Sequence, residues 1–308
     1  MITTGLGTWS SGLAVLILAL AFPCDAALTG AAQLSAVYDS ILGARFDRAD
    51  EQLKQTCPPA APEACQILGV VSIWWRIQIN PDDRANDRLF NERAAAAIAS
   101  ADAWTRREPQ RAESWFYLAG AYAPLVQWQI IRGERLQAAR NGNRIRVALE
   151  RALAIDPSLA DAHFGIGMYA YYADVAPASA KILRWLMFLP GGDRVKGLSE
   201  MSRARDAGEL LRGEADYQLH LIYLWYENRP YDAIALLRTL DERYPSNPLF
   251  LQRIADAYDV YLHDARASAS AWQTLADRAT RDRVYDAARV VRLAETKRRA
   301  LITREQKK

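Results

Sequence analysis

Apolar residues recur along most of this chain at spacings of three and four, the period of a helix that buries one face. Runs with that period cover 30–43, 46–56, 62–79, 83–107, 111–131, 133–155, 159–173, 178–188, 193–207, 212–228, 230–244, 248–263, 264–279 and 283–304. Pro, Gly or Asp-Pro separates them, and no stretch alternates apolar and polar residues as a half-buried strand would. The pattern therefore predicts an all-α fold. No Ser/Gly-rich linker interrupts it, so residues 27–308 read as one continuous domain.

Several turns repeat one design. A helix ends, a proline follows, and an acidic or small cluster opens the next helix: Arg107-Glu108-Pro109, Ile155-Asp156-Pro157 and Arg243-Tyr244-Pro245. Proline cannot continue the helix before it but is tolerated at the start of the next. The helices around these turns carry a second regularity. Trp115, Leu118, Ala119 and Tyr122 place a large residue, a Leu, a small residue and an aromatic at intervals of three, one and three. His163, Ile166 and Gly167 follow the same spacing in part, with Ala170 in the aromatic place. Leu149, Ala152 and Pro157, and likewise Ala233, Leu237 and Pro245, close second helices. Small residues let paired helices approach while large ones fill the groove between hairpins.

With these residues the chain resembles the tetratricopeptide repeat family, most clearly over 97–170 and 215–262. That resemblance implies a right-handed α-solenoid of about six antiparallel helical hairpins with a C-terminal capping helix. The prolines depart from the family period of about 34 residues, since Pro109 and Pro157 lie 48 apart and Pro157 and Pro245 lie 88 apart. An insertion at 175–193 accounts for part of the excess. Its apolar stretch Lys181–Leu189 and the turn Pro190-Gly191-Gly192-Asp193-Arg194 are similar to the tetratricopeptide repeat protein 39 group and its inclusion-body-clearance relatives, as is Tyr244–Leu251. This narrower likeness implies an architecture and little chemistry.

The N-terminus reads differently. Residues Leu13 to Phe22 form a ten-residue apolar block, too short for the roughly 20 residues of a membrane span but suited to a secretory signal peptide. Small residues after it place cleavage after Ala26, which gives a 1–26 signal peptide and a periplasmic or secreted protein. Cys24 leaves lipoprotein anchoring as an alternative, although Pro23 stands where a lipobox has a small residue. The two remaining cysteines, Cys57 and Cys65, bracket Pro58, Pro59 and Pro62. A close pair around a rigid loop in an exported chain predicts a disulfide joining neighbouring helices.

Charge changes the picture little. The chain has 39 basic and 36 acidic residues, a near-balance that provides no general field for nucleic acid. The exception is 278–308, where eleven basic residues face four acidic ones. That stretch reads as the solvated face of a terminal helix, with contact to an anionic lipid or acidic partner as the alternative.

No catalytic motif stands out, and neither a metal nor a cofactor is expected. Pro190-Gly191-Gly192-Asp193 lacks dinucleotide-loop spacing and reads as a turn with Asp193 capping the next helix. His163 and His220 fall in apolar runs and His263 at a helix end. Asn141-Gly142-Asn143 reads as a weak spot or kink inside a helix. Trp74 and Trp75 are adjacent and so point to different faces, one of them toward solvent. The nine Trp and fourteen Tyr are more suggestive. By the geometry of the family, Phe116, Phe164, Met168, Tyr171, Tyr172, Ile222, Trp225 and Tyr226 would line the concave face as an aromatic groove. The first functional expectation is a non-enzymatic scaffold that binds a protein or peptide there. The alternative is a carrier for an apolar small molecule or lipid, in an enclosed pocket near Trp185, Met187 and the aromatic pairs Tyr171-Tyr172 and Trp225-Tyr226. An enzyme without a legible motif is the third.

Overall fold

The computed structural model describes residues 28–178, 181, 190–281 and 283–305. The expected signal segment 1–26 with Cys24, and the helix expected at 178–188 with Trp185 and Met187, lie outside the described residues apart from Ala178 and Lys181. Among the described residues the chain is helical with no strand. We number thirteen α-helices: α1 Ala31–Leu42, α2 Phe46–Thr56, α3 Pro62–Ile79, α4 Asp87–Arg107, α5 Ala112–Ile131, α6 Arg135–Ile155, α7 Ala162–Val175, α8 Arg194–Ala207, α9 Arg212–Trp225, α10 Pro230–Arg243, α11 Pro248–Asp256, α12 Ala265–Ala279 and α13 Ala287–Glu305. A π-helical turn, Ala257–Tyr261, extends α11. None of these helices is long and apolar enough to cross a membrane.

The punctuation works as expected. Pro109, Pro157 and Pro245 each fall in the turn between two helices, and Pro62, Pro230 and Pro248 open α3, α10 and α11. Asp193 caps α8 by accepting from the Lys196 N–H at 2.9 Å. Asn141-Gly142-Asn143 does not break its helix: α6 runs through it. Cys57 ends α2 and Cys65 lies in α3, with the sulfurs bonded at 2.00 Å.

Among the described residues consecutive helices pack on one another, the arrangement of a helical repeat. Their crossings rely on small residues. A Cβ added to Gly167 of α7 would stand 2.6 Å from the Gly197 carbonyl of α8, and one added to Gly197 would stand 2.7 Å from the Tyr171 backbone nitrogen. These two helix backbones touch directly.

The chain also closes on itself. Tyr38 of α1 reaches Glu214 of α9, and Asp39 accepts from Arg243 and from the Tyr244 hydroxyl. The buried Asn247 amide donates to the Leu42 carbonyl at 2.8 Å. Phe46 meets Tyr285 edge to face at 4.9 Å, and Arg289 of α13 donates to the Ile79 carbonyl at 3.3 Å. At the centre, Trp75 lies against Tyr217 and Phe250, with ring centroids 5.0 and 6.1 Å away. Trp74 is buried as well, so neither of the adjacent tryptophans faces solvent. Tight packing on both faces of α3 explains the difference from expectation: this helix is surrounded, not half exposed. Several C-terminal cations are held by acids within the fold. Arg278 forms a two-pronged pair with Asp241, at 2.7 and 2.8 Å, and Arg304 pairs with Asp259.

Candidate functional site

The described residues enclose a cavity of about 660 Å³. Helices α3, α5, α6 and α7 wall it, with Tyr38 of α1 and the start of α9 at its inner end. Sequence explains the space. On α6, Ala138, Ala139 and Gly142 present small residues at helical spacing, with Ile145 and Leu149 continuing the row. A Cβ placed on Gly142 would meet nothing within 4 Å, and one on Gly120 would meet only Ile67 at 3.7 Å. On the opposite wall stand Ile67, Leu68, Val71 and Trp74 of α3, while α7 contributes Phe164, Met168, Tyr169 and Tyr172. Pro124 lies inside α5 and also lines the space; it lacks the N–H that a helix would direct to the Gly120 carbonyl.

The outer end of the cavity is marked by Ile130 and Leu136, which line it and are 57% and 44% exposed. Arg135 stands beside them, also exposed. The inner end is polar. The Tyr38 hydroxyl donates to Glu214 Oε2 at 3.0 Å, and Gln218 Nε2 donates to Glu214 Oε1 at 2.9 Å and to Gln127 Oε1 at 3.0 Å. Burial raises the Glu214 carboxyl above its ordinary range, against the opposing pull of Gln218, Tyr38, Gln127 and Trp75, all neutral. Asp161 also lines the cavity, but its oxygens are taken up by the backbone. They accept from the N–H groups of Glu209, Leu210 and Leu211 at 2.8, 3.2 and 2.8 Å, at the start of α9. Burial raises the Asp161 carboxyl too, offset by those three bonds.

The eight residues expected to form one aromatic groove separate into three groups. Phe116, Phe164, Met168 and Tyr172 line the cavity. Tyr171 and Ile222 are wholly buried in a core cluster between α7, α8, α9 and α10, and offer no surface. The Tyr171 hydroxyl donates to Glu227, which also pairs with Arg194. Trp225 and Tyr226 are exposed, at 56% and 45%. The two aromatic pairs do meet, since Tyr226 packs edge to face on Tyr171 and Tyr172 at 5.9 and 5.7 Å. A helical face of 100° explains the division: neighbouring residues such as Tyr171 and Tyr172 cannot both face one groove.

Tyr38, Gln127, Asp161 and Glu214 were not legible as site residues. They come from four distant segments with no shared motif. One signal was present: the small-residue row of α6 opposite a helix, α5, that is apolar around most of its circumference. No family model matches this chain, and no curated protein matches it.

Proposed function

We propose that the protein is a non-enzymatic carrier that holds an apolar small molecule or lipid in the cavity between α3, α5, α6 and α7. The observation that carries this reading is the cavity itself. At about 660 Å³ it falls within the roughly 300–1,000 Å³ of small-molecule sites, and its lining is predominantly aliphatic and aromatic with a few polar groups at one end. Space of this kind left dry and empty costs packing energy, because the side chains around it lack partner atoms. Four of the residues expected for binding, Phe116, Phe164, Met168 and Tyr172, stand in its wall. On this reading the helices of a tetratricopeptide-like array enclose a ligand space rather than display an open concave face. The bonded Cys57–Cys65 pair supports an oxidising compartment, in keeping with export of the mature chain to the periplasm or beyond.

A second reading, a scaffold for a protein or peptide, draws on a different surface. Trp225 and Tyr226 at the end of α9, and Tyr231 at the start of α10, are exposed close together in sequence. Exposed aromatics of this size are frequent anchors of protein interfaces.

Native mass spectrometry of protein purified without detergent from its own cells separates the two. The carrier reading expects a bound mass in the small-molecule range, released on denaturation and absent from a Gly142→Phe variant whose ring enters the space. A bound polypeptide retained by Gly142→Phe and lost on Trp225→Ala would overturn it in favour of the scaffold. For protein recovered empty, the neutral fluorophore N-phenyl-1-naphthylamine supplies the readout. Saturable binding by the wild type that Gly142→Phe weakens at least about tenfold supports the carrier. Equal binding by both proteins removes the cavity from consideration.

A further inference from the structure

The inner end of the cavity has an unusual charge balance. Among the described residues three charged side chains line the space: Arg135, Asp161 and Glu214. Arg135 is exposed at the mouth. Asp161 is engaged by three backbone N–H groups at the start of α9. Glu214 remains. It sits in the first turn of α9, it is buried, and the groups that favour its ionised form are all neutral. A carboxylate offers about four acceptor positions. The Tyr38 hydroxyl and the Gln218 amide each take one, and Gln127 and Trp75 also lie against the carboxyl. A carboxyl buried in this way either keeps its proton or takes a cationic partner, and the lining supplies no cation beside it.

Resting on the carrier reading, we infer that the cavity selects an apolar ligand with a cationic amine head, seated on Glu214 with its hydrocarbon part along α3, α5 and α6. The ammonium group has three donors and no acceptor, so it complements an acceptor-only carboxylate in a way that an alcohol does only in part. A ligand carboxylate would place a second anion beside Glu214 and Asp161, and like charges at close range in a poorly hydrated site repel strongly. The apolar walls reject a small hydrophilic amine, because it would leave the aliphatic lining uncovered.

The test is displacement of N-phenyl-1-naphthylamine by three ligands of equal chain length, octylamine, octanol and octanoate, at neutral pH. Octylamine is expected to displace the probe at a concentration at least about tenfold below that of octanol, the scale of one added charge-assisted bond, with octanoate the weakest. In Glu214→Gln, which keeps the shape and exchanges one acceptor for an N–H donor that the Tyr38 hydroxyl can accept, the advantage of octylamine over octanol should fall to about threefold or less while octanol is unchanged. Octanol matching or exceeding octylamine in the wild type overturns the amine assignment and leaves the carrier standing. An amine preference that survives Glu214→Gln in a folded variant overturns the role of Glu214. Failure of the probe and all three ligands to bind removes the carrier reading and this inference with it. The wild-type comparison needs no variant, so a poorly folded Glu214→Gln does not blunt it.

Discussion

His220 lies in the middle of α9, wholly buried, with its ring 4.7 Å from that of Tyr217. Burial, and then the Arg253 guanidinium, push its imidazole down to about 3, with the Tyr217 backbone pulling weakly the other way. Its folded affinity for protons is thus far below that of the unfolded chain, where an imidazole titrates near 6.5. The sign follows directly. Above about pH 6.5 neither state binds the proton and His220 contributes nothing. As pH falls from about 6.5 toward about 3 the unfolded state alone is protonated, and stability drops by about 1.4 kcal/mol per pH unit. Urea unfolding between pH 7 and 5 should show this loss in the wild type relative to His220→Phe. Buried acids such as Glu214, Asp161, Asp216 and Asp256, whose carboxyls are raised mainly by burial, work in the opposite sense but are common to both proteins. Parallel pH profiles would show that His220 is protonated without unfolding. Sequence legibility at this scale was uneven. The apolar run Tyr217 to Trp225 announces that His220 is buried, whereas nothing near Glu214 announces that Tyr38, 176 residues away in sequence, completes its site.

Glycine shows how one residue type serves opposite ends within helices. At Gly197 an added methyl would meet the Gly167 carbonyl at 2.8 Å and the Tyr171 nitrogen at 2.7 Å, both backbone atoms that cannot swing away. At Gly142 it would meet nothing within 4 Å. Both positions are helical, so helix propensity alone favours alanine at each by about 1 kcal/mol. At Gly197 the clash should win, and Gly197→Ala is expected to destabilise by about 1–3 kcal/mol as α7 and α8 are forced apart. Gly142→Ala is expected to stabilise by up to about 1 kcal/mol. Denaturant midpoints of the two variants, moving in opposite directions from the wild type, check the pair. A common direction would mean that one of the two environments is misassigned. The repeat spacing through His163, Ile166 and Gly167 correctly reads Gly167 as a point of close helix approach. The turn signal Asn141-Gly142-Asn143, by contrast, reads as a weak spot or kink, because a glycine between two asparagines looks the same over a void as in a bend. Only the facing helices decide: α5 directly precedes α6, but α3 is remote in sequence from it.

Across the whole molecule, local pattern and long-range closure make different demands on stability. An open array of hairpins in which each contacts only its neighbours unfolds from its ends, and its terminal units can be removed at modest cost. Here the first and last thirds of the chain share one core. Leu34, Val37 and Ile41 of α1 are buried in the same cluster as Leu237, Phe250 and Trp272. The contact is stitched by Asp39 with Arg243 and Tyr244, and by Asn247 with the Leu42 carbonyl. None of this is written in the helical period, which fixes which face of α1 is apolar but not which distant helix covers it. Deletion of 28–43 should therefore expose the Tyr217, Tyr244 and Phe250 cluster and unfold more than the N-terminal hairpin. Hydrogen exchange of the full chain gives the less invasive measurement. Amides of α1, α3, α9 and α11 should exchange at one common free energy, as members of one cooperative unit. Exchange that instead declines stepwise from the centre toward α1 would mean that the contacts between α1 and α9 to α11 add little, and that the molecule behaves as a linear stack despite its closed core.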